Sequence, residues 1–106
     1  MILIKTTVKD TGIIKLIVSE LLNKKYATCI NIINNVQSHY LWNNKLVKDK
    51  ESILFIKTIS KNEEIIYKVI KDFHDYDIPE IITINIQNVD VNYLNWMEQN
   101  ITKKAL

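Results

Sequence analysis

The sequence predicts an α+β domain, a split βαβ sandwich: a four-stranded antiparallel sheet with two helices on one face, followed by a third helix. Three observations carry this expectation. Hydrophobic patterns along the 106 residues run in the order β-α-β-β-α-β and then α. The two middle strands follow each other across a two-residue turn, which makes a long central hairpin, while the other strands are joined through single amphipathic helices. Gly12 is the only glycine and Pro79 the only proline, and no linker or repeat divides the chain, so residues 1–106 read as one domain. This order is the ferredoxin-like arrangement.

Each element has a local cause. Residues 2–8 read as a strand. Asp10 or Thr11 caps a helix running to about Lys25, whose apolar positions Ile13, Ile14, Ile17, Val18, Leu21 and Leu22 share one face. Tyr26 to Trp42 is rich in β-branched residues and extended, with one break at Asn34-Asn35 that suggests a bulge. Asn43-Asn44 is a turn signal, since asparagine tolerates left-handed backbone, and Lys45 to Thr58 returns as the second arm. Ser60-Lys61-Asn62-Glu63 fits a capping box, with Ser60 as cap and Glu63 reaching back. The helix it opens buries Ile65, Ile66, Val69, Ile70 and Phe73. After the loop from His74 to Glu80, Ile81 to Gln87 alternates as a strand. Asp90 then caps a last helix through Tyr93, Leu94, Trp96, Met97 and Ile101.

Composition excludes several functions. Hydrophobic residues at 47% and charged residues at 25% are those of an ordinary globular protein. No apolar run reaches the roughly 18 residues of a membrane span. Met1 leads directly into a strand pattern rather than a signal peptide, and a single cysteine suits a reducing compartment, so a cytoplasmic protein is expected. All 14 basic residues are lysines, scattered among 12 acids for a net charge of +2. A nucleic-acid binder carries a stronger basic excess, with arginine for bidentate contacts, so no such partner is expected. No enzyme is expected either. The chain lacks a glycine-rich phosphate loop and a nucleophile elbow, and it has no Ser/His/Asp order worth naming.

The hairpin is long for its domain. Arms of about 14–17 residues would span roughly 45–55 Å, against a body of about 35 Å. Its tip carries Tyr40, Leu41 and Trp42. Each large apolar group left in water forgoes about 1.5–3 kcal/mol of burial. The hairpin is therefore expected to pack on a neighbouring subunit; the alternative is a bent hairpin folded back on its own sheet.

Five stretches together resemble the CutA divalent-cation-tolerance family: Ala27 to Ile33, Tyr40 to Lys45, Glu51 with Leu54 to Thr58, His74 to Ile81, and Tyr93 to Trp96. The resemblance implies a ferredoxin-like homotrimer whose hairpins clasp neighbouring subunits, with Tyr40, Trp42 and Trp96 at the interface. It also implies a role in divalent-cation tolerance and copper binding (Cu2+ or Cu+), which is expected to be weak because no close pairs of Cys or His occur. Sheet edges closed by neighbours, few glycines and an isoleucine-rich core lead to the expectation of a thermostable protein. The sequence departs from the family at Asp75, where proline is usual, at Asn44, where glycine is usual, and at Thr6, where some members carry a second cysteine. A thiolate-rich metal site is therefore not expected.

Candidate functional residues follow. His74 ends the second helix, where an imidazole either complements the helix C-terminus or serves as a metal ligand. Glu80 is its carboxylate partner in that second reading, held by Pro79. Cys29 is either a small core hydrophobe or a soft copper ligand. His39 is expected to pack at the surface or an interface. Lys57, Tyr76 and Glu51 are candidates for a ligand cleft between subunits. Lys57 either pairs with Glu51 or Glu80 or binds a small anion. The alternative function is accordingly a trimeric small-molecule sensor resembling the PII signalling proteins.

Overall fold

The computed structural model describes residues 1–102; the last four residues of the expected 1–106 domain lie outside the described residues. The elements are β1 (Ile2–Val8), α1 (Thr11–Asn23), β2 (Cys29–Trp42), β3 (Lys45–Thr58), α2 (Glu63–Phe73), β4 (Ile81–Asn85) and α3 (Val91–Gln99). The strands form one antiparallel sheet in the order β2-β3-β1-β4. The chain thus adopts the expected α+β arrangement.

Alternation decides which side of the sheet is core. Ile2, Ile4 and Val8 on β1 and Leu54 and Ile56 on β3 are buried with Ile14, Ile17 and Leu21 of α1 and Ile66, Val69 and Ile70 of α2. Asp10 caps α1 by accepting from the Ile13 amide at 3.0 Å, and Asp90 caps α3 by accepting from the Asn92 and Tyr93 amides.

The hairpin follows the turn chemistry. Asn43 and Asn44 both have positive φ, 52° and 60°, and pair Trp42 with Lys45 across a two-residue turn. Asn35 at φ 60° marks the break between Ile33 and Val36, as the asparagine pair suggested. Only half of the hairpin projects. Ser52 to Thr58 lies inside the sheet against β1, while Lys45 to Glu51 pairs with β2 alone. The molecule is consequently 45 Å long and only 26 by 22 Å across.

Four details correct the sequence reading. Ser60 does not build a capping box: residues Ser60–Asn62 form one 3-10 turn, and α2 starts at Glu63 without a side-chain cap. Asn62 is instead fully buried, donating to the carbonyls of Tyr26 at 3.0 Å and Thr102 at 2.6 Å. Thr58 also donates to the Tyr26 carbonyl, at 2.6 Å. Tertiary partners therefore override the local cap. β2 begins at Cys29 rather than Tyr26, because Tyr26 and Ala27 are buried in the turn that closes α1. β4 ends at Asn85, short of Gln87, and Ile101 lies beyond α3.

Candidate functional site

The site is assembled where α2 ends beside the outgoing end of β1. The His74 amide closes α2 by donating to Ile70, and its backbone then turns extended, with ψ 144°. That turn sends the imidazole inward, where it is completely shielded from solvent. Nε2 lies 2.8 Å from the Thr7 carbonyl, and Nδ1 accepts from the Tyr76 amide at 3.1 Å. A carbonyl only accepts and an amide N–H only donates, so the imidazole is the neutral Nε2–H tautomer.

Tyr76 stacks at a tilt on His74, with ring centres 4.3 Å apart, and donates its hydroxyl to Glu51 at 2.6 Å. Burial, reinforced by the Glu51 carboxylate, pushes the Tyr76 phenol well above its ordinary range, so it stays a donor. The arm bears a second tyrosine–carboxylate pair. Tyr40 donates to Asp49, and Lys9 reaches the same carboxylate at 2.6 Å. Lys9 first, and Tyr40 next, hold Asp49 below the usual carboxylate range. Between arm and body lies an open groove of about 580 Å³, walled by Tyr40, Trp42 and Asp49 on one side and by Tyr76, Ile78 and Glu80 on the other.

The expected residues fall into two separate groups. Glu51, Tyr76 and Glu80 line the groove, with His74 bracing its wall from behind. Lys57 and Cys29 lie elsewhere, as cross-strand partners at the other end of β3, six residues or about 20 Å from Glu51. There Lys57 Nζ lies 3.9 Å from Cys29 Sγ and 5.6 Å from the centre of the Tyr93 ring, which in turn packs against Trp96. Lys57 thus pairs with neither Glu51 nor Glu80: Glu51 holds Tyr76, and Glu80 lies 3.1 Å from Lys5. Cys29 is a half-buried free thiol at the start of β2.

The proposed ligands His74, Glu80 and Cys29 do not fit a single metal centre. Among the described residues no three His, Cys, Asp or Glu side chains come together as a cation site. His74 has one lone pair, and the Tyr76 amide uses it. The suggested interface residues Tyr40, Trp42 and Trp96 remain 40%, 46% and 44% exposed in the single chain.

Sequence reading missed the Lys9–Asp49–Tyr40 cluster. The signal was present: counting back from the Asn43-Asn44 turn places Asp49 opposite Ser38, and Tyr40 lies two residues along the same face. The bond from His74 to Thr7 left no such trace, because it joins residues 67 positions apart.

Comparison with known proteins gives a consistent result. A family model described as "CutA1 divalent ion tolerance protein" matches residues 2–100. The chain is 34% identical over 104 residues to the divalent-cation tolerance protein CutA of Pyrococcus horikoshii, covering 98% of this chain and 100% of that protein. It is 31% identical over 104 residues to the chloroplastic protein CutA 1 of Oryza sativa subsp. japonica, covering 98% of this chain but only 58% of that protein. Among solved structures, the divalent cation tolerance protein of Thermus thermophilus superposes with a TM-score of 0.90 at 28% identity, over 96% of this chain and 100% of that one. CutA1 from Pyrococcus horikoshii superposes at 0.89 with 32% identity, over 97% and 100%.

Proposed function

Since the chain belongs to the CutA1 divalent ion tolerance family, we propose that it serves divalent-cation tolerance in the cytoplasm as a homotrimer that binds copper weakly and catalyses nothing. The observation that carries this reading is the family match across residues 2–100, over a fold shared with proteins of that description. Support for the assembly comes from the arm. Leu41 and Leu46 are 72% and 76% exposed, and the projecting halves of the hairpin pair only with each other among the described residues. A neighbouring copy would cover both the apolar tip and the open strand edge. Among the described residues no helix is long and apolar enough to cross a membrane. Related proteins carry chloroplastic and periplasmic descriptions, so the cytoplasmic placement rests on the single cysteine.

Donors that are not gathered into one centre among the described residues support weak rather than tight copper binding. Cys29, half-buried, carries the soft donor, whereas His74 would have to release the Tyr76 amide. Calorimetric titration of Cu2+ into the wild type, His74→Ala and Cys29→Ser tests this. Weak binding that Cys29→Ser diminishes is expected. Unchanged affinity in both variants would remove these residues as ligands.

A second reading, a trimeric small-molecule sensor similar to the PII signalling proteins, is favoured by the groove between arm and body, which is large enough for a small metabolite.

A further inference from the structure

We propose that the Asn34-Asn35 bulge aims the arm: it bends the hairpin where it leaves the body and so directs the apolar tip onto a second copy of this chain. The inference rests on the homotrimer reading above and adds the device that sets the direction of docking.

Three features coincide at one row of the sheet. On β2, Asn34 and Asn35 together oppose the single residue Ser52, since Ile33 pairs with Ile53 and Val36 with Glu51. An extra residue of this kind bends its strand and sharpens the local twist. β1 ends at the same row, where Val8 pairs with Ser52, so the bend falls where the arm loses its inner neighbour. The bulge is also fixed in place. Asn35 holds φ 60°, which asparagine tolerates, and the Asn34 side-chain oxygen accepts from the Ser52 hydroxyl at 2.9 Å across the pair.

Two ties then hold the bent arm from one side. Glu51 and Asp49 are two residues apart on β3 and therefore share a face. From the body, Tyr76 donates to Glu51 at 2.6 Å, and Lys9 meets Asp49 at 2.6 Å. Ser52 and Glu51 at the root are buried, whereas Leu41, Trp42 and Leu46 at the tip are exposed. The arm is thus packed and tied at one end and bare at the other, as a rigid lever built to press on a surface outside its own chain. A second copy is the occupant because each copy carries the same bare tip, and a closed ring covers all of them at once.

The test separates direction from stability. Deleting Asn35 leaves Asn34 alone opposite Ser52, which removes the bend and preserves the cross-strand pairs on either side. Arm direction is read from the distance between spin labels on Lys48→Cys and Asp72→Cys, both exposed positions, in full-length Cys29→Ser protein diluted with unlabelled chain. Assembly is read by sedimentation of the unlabelled proteins over a dilution series. The deletion is expected to move the label distance by several ångström and to raise the concentration at which the trimer dissociates about tenfold or more. Asn35→Gly takes positive φ freely and is expected to leave both unchanged. Asn35→Val keeps the residue count but opposes φ 60°, and it is expected to act in the direction of the deletion. It replaces the deletion in both readouts should the shorter chain not fold. An unmoved label distance would overturn the aim. A moved arm with unchanged assembly would overturn its link to the second copy. A monomeric wild type would overturn the trimer reading and the occupant with it, and the label distance alone would then decide whether the bulge aims the arm.

Discussion

Tyr76 donates its hydroxyl to Glu51 at 2.6 Å, tying the loop after α2 to the root of the arm across 25 residues of chain. Glu51 is only 8% exposed, so its carboxylate depends on that donor. Tyr76→Phe is expected to lower unfolding stability by about 1–3 kcal/mol, because it leaves a buried charge short of a hydrogen bond. Urea denaturation measures the loss. Glu51→Gln retains an acceptor and is expected to lose less; the reverse order would mean that Tyr76 matters through its packing on His74.

The Lys9–Asp49–Tyr40 cluster makes the clamp between arm and body sensitive to acid. Lys9 and Tyr40 lower the folded-state pKa of Asp49. A group lowered in this way adds stability above its unfolded value of about 3.9 and loses it as pH falls through the folded value. Between neutral pH and about pH 3, the wild type is therefore expected to lose more stability than Asp49→Asn. Urea midpoints measured across that range should converge at the acid end. Parallel curves would show that the pair contributes nothing at the surface.

Trp42 stands on the projecting arm, 46% exposed in the single chain. In sedimentation the protein is expected at about 37.5 kDa, three times its 12.5 kDa chain mass. Trp42→Ala should weaken that assembly by about 2–4 kcal/mol, as truncated interface anchors do. A wild-type monomer at micromolar concentration would sink the trimer.

Assembly should also raise thermal stability with protein concentration. The midpoint of the trimer is expected above the roughly 45–65 °C typical of mesophile domains. A midpoint inside that range, unchanged on hundredfold dilution, would count against extensive burial between subunits.

Thr6 sits fully buried in β1, and its hydroxyl has no hydrogen-bond partner among the described residues. Valine has nearly the same shape and no polar atom to desolvate. Thr6→Val is expected to stabilise the fold by about 1–2 kcal/mol, read from the denaturation midpoint. A loss of stability would reveal a partner for that hydroxyl.

The sequence alone determined the elements whose causes lie within a few residues. Alternation in β1, the helical spacing in α1 and α2, the Asp10 and Asp90 caps and the Asn43-Asn44 turn each appear in the structure. From the turn, pairing out to Val36 and Glu51 follows by counting, until the break between Ile33 and Val36 shifts the register. Tertiary structure alone decided which polar groups meet across distant segments of the chain. Ser60 lost its cap because buried Asn62 is held by Tyr26 and Thr102 from distant turns. Lys57 parted from Glu51 because six residues of extended strand separate them by about 20 Å, and His74 turned inward because Thr7 offered a carbonyl there. Local patterns fix periodicity because propensity and amphipathicity act over a few residues. A hydrogen-bond partner is chosen only when strands and loops far apart in sequence have been brought together.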